Sequence, residues 1–492
     1  MIFSSIIYIL FLTIVAIIYY LLPVKFRWIW LLVASIGYYL SFIPIFIFLL
    51  IGIIFVNYFL SLWLAKIPDE KGNRFLVFTI FLNILILALF KYFNILFPAN
   101  QLELYNLNLF SQSDPISKII LPLGLSYLTF TVLSYQIEVK RKTIKPERHF
   151  GYFSLYLTFF PKIAQGPIER PQRLIAQLHQ HHSFNYQMVV EGLKLMLWGY
   201  FKKLVIADRL AIYVNAVYNN NEHHNGITLL IATVFFAFQI YADFSGYTDI
   251  ALGSAKMFGF DLTNNFNRPY FATSIKDFWN RWHITFSTWI RDYIFLPLAY
   301  FLSGRMKKQK YLLVSAQKWI YAIVIMVTFA ICGIWHGVGW TYLIWGILFG
   351  IYLTYSNWTR DLQKKFRKRF NIRKTSKFYI LQRNLLTFTL VLFAWIFFRS
   401  DNLTDATSII KKIASLDGPL FFDRADPSTF LFSIFGIFFL IIAEVKEEYF
   451  KEKLFFFTSN KWYIRLSSYA FIIILILLIG VFDGGQFIYF QF

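Results

Sequence analysis

Uninterrupted apolar runs of eighteen or more residues recur from one end of this 492-residue chain to the other. Each is long enough to cross about 30 Å of hydrocarbon as an α-helix. Inside hydrocarbon every backbone N–H and C=O must be paired within the protein, so only helices or closed barrels can span. The runs are continuous and do not alternate, which excludes a β-barrel. Only 15% of residues are charged while 58% are hydrophobic and 21% aromatic, far from the balance of a soluble surface. The expected fold is an all-α polytopic membrane protein of about ten to twelve transmembrane or re-entrant helices. With no linker-like stretch, it is read as one domain over 1–492, its motifs concentrated in 120–350.

The formal net charge of +22 does not indicate a nucleic-acid partner, because of where the charge lies. Basic residues collect in short gaps between apolar runs: Lys25 and Arg27; Lys66, Lys71 and Arg74; the cluster from Lys140 to Arg148; Arg305 to Lys310; and RDLQKKFRKRFNIRK at 360–374. Such residues resist translocation and contact anionic membrane lipids. Spans near 2–22, 28–41, 45–65, 75–98 and 118–138 then alternate consistently, with 99–117, which holds no Lys or Arg, outside. The N-terminus is expected outside, and the first run, without a basic leader or a small-residue cleavage site, is expected to be a retained span. Later spans are expected near 193–217, 226–257, 319–336, 340–357, 380–399, 429–445 and 466–483, with 400–428 external. FFPKIAQGPIERP (159–171) carries three prolines and a glycine and reads as re-entrant or interfacial. Broken backbone of that kind survives at membrane depth only when buried in protein or lining a wet cavity.

His336 is the outstanding ionisable residue, in the apolar hairpin TFAICGIWHGVGWTYLIWG (328–346). An intramembrane ionisable group is a functional candidate by default, the alternative being a satisfied interhelical hydrogen bond. Gly333, Gly337 and Gly339 leave room for another chain or a ligand, and Trp335 and Trp340 are expected to flank the ring. A second cluster, NRPYFATSIKDFWNRWHITFSTWIRDYIFLPL (267–298), reads as one amphipathic helix with Trp279, Trp282, His283 and Phe286 on one face. An interfacial helix explains that pattern without catalysis, yet His283 sits on the apolar face. Asp243, Ser245 and Asp249 interrupt a third run, either as a helix break at Ser245 and Gly246 or as a polar patch in which Asp243 orients a basic partner or a ring.

Cys332, the only cysteine, stands one turn before His336 and reads as packing rather than as a nucleophile, with no cation nearby in sequence to lower its pKa. No phosphate-binding loop, nucleophile elbow or zinc-ligand spacing occurs, so no metal and no resident cofactor are expected.

These runs resemble the membrane-bound O-acyltransferase family, in its bacterial alginate O-acetyltransferase branch, related to the teichoic acid D-alanyl transfer protein. The resemblance rests on LPLGLSYLTFTVLSYQIEV (121–139), FFPKIAQGPIERP, YADFSGYTDIALGSAKMFGF (241–260), the 266–298 run and IWHGVGWTYLIWG (334–346), in that order. It implies a helical ring around a central funnel, with His336 the essential histidine and His283 the second. It also implies an acyl-CoA or acyl carrier protein thioester as cytosolic donor, and an extracytoplasmic SGNH-type acyltransferase as partner. Asp243, Ser245, Tyr247, Trp279, Arg281, Trp282, Trp335 and Gln165 are the candidates for holding substrate or supporting the histidines, with Arg281 and Lys276 open to two readings, donor-phosphate contacts or cytosolic surface charges. The expected activity is transfer of a short acyl group, most simply acetyl, toward a cell-surface polysaccharide. A flippase for a lipid-linked sugar and a non-catalytic scaffold for the partner enzyme are the rival readings.

Overall fold

The computed structural model describes residues 1–96, 122–164, 166–312, 314–421, 427–451 and 456–482. The expected external segment 99–117 lies outside them, as does Gln165. Among the described residues, seven helices are long and apolar enough to cross a membrane: Phe46–Leu64, Asp69–Tyr92, Gly226–Lys256, Ala316–His336, Lys377–Arg399, Pro427–Phe450 and Trp462–Ile479. Large apolar side chains such as Phe48, Trp63 and Leu478 stay exposed on them, as a hydrocarbon solvent permits. This is a multi-pass membrane protein.

The described chain forms two compact units. The first comprises 1–193 and 251–263. It contains α1 (Ile6–Leu21), α2 (Val24–Leu40), α3 (Phe46–Leu64), α4 (Asp69–Leu96), α5 (Leu125–Lys140), α6 (Phe150–Thr158), α7 (Phe160–Ile163) and α8 (Pro171–Leu178). Helix α4 starts six residues before the expected position 75, because Asp69 and Glu70 occupy its first turn, where acidic groups favour the helix dipole. The proline-broken run holds α7 and is buried in protein. Phe160 N–H donates to Ser35 Oγ at 3.0 Å, Lys162 is 4% exposed, and Glu169 accepts from the Thr263 backbone N–H and hydroxyl. Gly124, at φ +67, enters α5 so close to α7 that a Cβ would fall 2.0 Å from the Ile163 carbonyl oxygen.

The second unit comprises 194–250 and 264–492. Where one helix near 193–217 is expected, α9 (Tyr186–Tyr200) passes through a π-helical stretch, Phe201–Ala207, into α10 (Asp208–Tyr218). Helix α11 (Gly226–Lys256) is unbroken through Ser245 and Gly246, so of the two readings of its polar residues the helix break falls away. The 267–298 run is not one amphipathic helix: α12 (Ile275–Arg281) ends at Trp282 and α13 (Ile284–Ile290) begins anew, followed by a second π-helical stretch, Arg291–Phe295, and α14 (Leu296–Arg305). A two-residue hairpin, Lys310 opposite Ser315, leads into α15 (Ala316–His336). Then come α16 (Trp340–Trp358), α17 (Arg360–Arg369), α18 (Lys377–Arg399), α19 (Leu403–Ser415), α20 (Pro427–Phe450) and α21 (Trp462–Ile479). Helix α19, capped by Asn402 accepting from the Asp405 N–H, occupies part of the stretch expected as an external loop.

Candidate active site

His336 ends α15 and is 5% exposed. Its ring lies 4.5 Å from Trp335, 4.9 Å from Trp345, 5.2 Å from Phe398 and 6.3 Å from Phe286, between centroids. Trp335 is thus a wall of the ring as expected, but Trp340 is not. It is 70% exposed, and Trp345 one turn further along α16 takes its place. The glycines do not hold open space for a ligand either. A Cβ at Gly333 would lie 2.4 Å from the Tyr342 carbonyl oxygen, and one at Gly337 2.3 Å from the Tyr342 ring. They let α15 and α16 close into a tight hairpin, which turns His336 into the packed interior.

His283 occupies the junction of α12 and α13 at φ 42, ψ 55. Left-handed backbone costs a residue with a Cβ on the order of 1–2 kcal/mol. Asn265 holds it there: its carbonyl accepts the Ile284 N–H at 2.9 Å, and its side-chain oxygen contacts His283 Nδ1 at 3.2 Å. The imidazole is 2% exposed, between Phe244 at 4.7 Å and Phe286 at 5.0 Å. Burial pushes its pKa down to about 3, which keeps the ring neutral at physiological pH.

Phe286 joins the two histidines. It stacks on His283, stacks on Trp335 at 4.5 Å and meets His336 at a steep angle. It also lines a mainly apolar cavity of about 340 Å³ whose wall includes Lys276, Trp279, Arg291 and Cys332. Cys332 is therefore a wall residue of that cavity, one turn before His336.

The other expected residues fall into three groups. Trp282, 2% exposed, packs 5.1 Å from Phe266 and 5.3 Å from Trp395, and Trp279 stands 5.1 Å from Phe329 and Phe349. Arg281 is committed elsewhere. Its guanidinium makes a two-pronged pair with Glu448, both bonds at 3.0 Å, and a third bond to Asp277 at 3.0 Å, so it clamps α12 to α20. Asp243 does meet a basic partner, Lys203 at 2.8 Å, which also reaches Asp208 at 2.8 Å. Ser245 accepts from Lys202 at 3.0 Å, Asp249 pairs with Lys202 at 2.6 Å, and Tyr247 is buried beside them on α11. Phe244, between Asp243 and Ser245 in sequence, is the α11 residue that touches His283.

Sequence reasoning missed Asn265, Trp345, Phe398, Glu448 and the lysine pair. The lysines had a signal: MLWGYFKKLVIA (196–207) places two ammonium groups inside an apolar run.

Comparison with known proteins bears on the whole chain. Residues 78–398 match the model of the membrane-bound O-acyltransferase family. A peptidoglycan O-acetyltransferase of Helicobacter pylori is 31% identical over 417 residues, 79% of this chain and 74% of that protein. A Pseudomonas aeruginosa protein named "Probable alginate O-acetylase AlgI" is 30% identical over 418 residues, 84% of this chain and 75% of its own. A teichoic acid D-alanyltransferase of Bacillus subtilis is 28% identical over 255 residues, 51% of this chain and 63% of its own. With its motifs in the family's order and the match extending over most of its length, the chain belongs to the membrane-bound O-acyltransferase family.

Proposed function

We propose that this protein moves a short acyl group, acetyl, from a cytosolic thioester donor across the cytoplasmic membrane toward a cell-surface polysaccharide. The observation that carries the reading is the pair of buried histidines on one phenylalanine, Phe286, which also lines the 340 Å³ cavity. Acyl-CoA and an acyl carrier protein present the same phosphopantetheine thioester arm, and a mainly apolar cavity suits the acyl end of that arm. Lys276 and Arg291 line that cavity and supply cations for the donor's phosphates. Relatives named for acylating peptidoglycan, alginate and teichoic acid support a polymer as final acceptor.

In this reading the His336 imidazole takes the proton of an acceptor hydroxyl as its oxygen attacks the thioester carbonyl carbon. The carbon–sulfur bond breaks, the thiolate leaves, and the imidazolium returns its proton to the sulfur. General base catalysis of this kind contributes about 10²–10⁴-fold. An extracytoplasmic SGNH-type enzyme then receives the acyl group, and the external N-terminus and cytoplasmic α12–α14 region follow from the placement of basic gaps.

The test is radiolabelled acetyl thioester supplied to inverted membrane vesicles. Label should reach lumenal polymer or partner enzyme with the unaltered chain, and fail to do so with His336→Ala present at the same membrane level. Full transfer by that variant removes His336 from the mechanism. Movement of a lipid-linked sugar without any need for acyl donor favours the flippase.

A further inference from the structure

The contacts of Asn265 fix which nitrogen of His283 carries the proton. Asn265 is fully buried, and its side-chain Oδ1 accepts the Thr285 backbone N–H at 3.2 Å and the Thr285 hydroxyl at 2.7 Å. A backbone N–H can only donate, so the amide atom facing it is the oxygen and not the NH₂ group. The same oxygen lies 3.2 Å from His283 Nδ1. A ring nitrogen turned to an oxygen already accepting two bonds must bear a hydrogen, since two lone pairs would repel. In a neutral imidazole the lone pair is then on Nε2.

We propose that Asn265 is a positioning residue that holds His283 in its Nδ1–H tautomer, so that His283 meets the substrate through Nε2 as a hydrogen-bond acceptor. The inference rests on the acyltransferase reading and sharpens it. It assigns His283 to receive an O–H or N–H of the substrate, and it excludes His283 Nε2 as the donor that stabilises the thioester oxyanion. The left-handed backbone at His283 has a place in this scheme: it brings Nδ1, the Ile284 N–H and the Thr285 N–H onto the one asparagine.

Solid-state NMR on the full chain in lipid bilayers, labelled with ¹⁵N-histidine, reads the tautomer directly. The difference against His283→Gln isolates the ring. A protonated Nδ1 with an unprotonated Nε2 is the expected result; a protonated Nε2 overturns the proposal. Asn265→Asp keeps the accepting oxygen and should keep both the tautomer and acyl transfer to within a few-fold. Asn265→Leu should scramble the tautomer and lower kcat on the order of 10²–10⁴-fold, with little change in donor KM. An Asn265→Leu chain that turns over normally overturns the proposal, and if that variant does not fold, the unaltered chain's spectrum still decides. The Nδ1–H tautomer in a chain that transfers no acyl group would defeat the acyltransferase reading and support the tautomer assignment.

Discussion

His283 and His336 share a neighbour: Phe286 stacks on the first at 5.0 Å and faces the second at 6.3 Å. A ring that touches both histidines and the cavity wall controls how the cavity ends. Phe286→Ala should therefore do two things. It should lower stability by about 3–5 kcal/mol, the usual loss for deleting a buried phenyl ring. It should also cut acyl transfer, because His283 loses its stacking partner and His336 an edge-on ring contact. Phe286→Leu should recover most of the melting temperature in detergent and little of the turnover, which would separate packing from alignment.

The α15–α16 hairpin offers a graded comparison among its glycines. Adding a methyl at Gly333 drives it to 2.4 Å from the backbone oxygen of Tyr342, which cannot yield without moving α16. Gly333→Ala should cost about 1–3 kcal/mol by overpacking. At Gly339 the nearest atom is the Thr341 hydroxyl at 3.3 Å, and Gly339→Ala should melt within a degree or two of the unaltered protein. Equal losses at the two positions would rule out close helix approach as the reason for Gly333.

How much of this was legible depended on the distance over which each feature is determined. The bilayer imposes helices on any apolar run of sufficient length, so α3, α15, α18, α20 and α21 could be placed from hydropathy alone. The candidacy of His336 was legible for the same reason, an ionisable ring in a span. The break at His283 was not. It is held by Asn265, eighteen residues earlier, and a periodicity count across 275–290 sees no interruption. The polar residues of α11 were visible, but their partners, Lys202 and Lys203, lie on another helical stretch, so the sequence left a helix break and a patch with a basic partner as alternatives, and the Lys203–Asp243 pair is the second of them. Likewise Gly333 has its meaning only once Tyr342 is opposite it.

Lys203 is the central cation of a buried triad, bonded to both Asp208 and Asp243, with all three side chains under 10% exposed. Lys203→Met would strand two carboxylates and should destabilise the protein by about 3–5 kcal/mol. The triple variant Lys203→Met, Asp208→Asn, Asp243→Asn should recover most of that loss, since nothing charged remains uncompensated. Melting temperatures in detergent give the comparison. A triple variant no better than the single one would show that the lysine acts by packing and not by charge.

Lys162, in the proline-broken run, has its pKa pushed down to about 7 by burial, with Glu169 opposing the shift. The unfolded chain binds this proton up to about 10.4, so between pH 7 and 10 the unfolded state holds more protons and stability rises with pH. The slope is at most about 1.4 kcal/mol per pH unit. Lys162→Met should flatten that rise and raise the melting temperature most at pH 7, where the buried ammonium is partly charged. A pH profile unchanged by the substitution would mean that Lys162 titrates as it does in water.

The division of labour between Arg281 and Lys276 is open to kinetics. Both were candidates for donor phosphates, but Arg281 spends its guanidinium on Glu448 and Asp277, whereas Lys276 and Arg291, the latter paired through Nε with Asp292 at 2.8 Å, line the cavity. Lys276→Ala combined with Arg291→Ala should raise the donor KM and leave kcat nearly unchanged, because a phosphate grip acts equally on ground and transition states. Arg281→Ala should instead lower stability, and adding Glu448→Ala should lower it further, since Glu448 also holds Arg268 at 2.6 Å. Measuring donor KM and melting temperature on the same four proteins decides it. If Arg281→Ala raised KM at constant stability, the clamp would be a phosphate site after all, and the donor would have to enter beside α20 rather than through the cavity under Phe286.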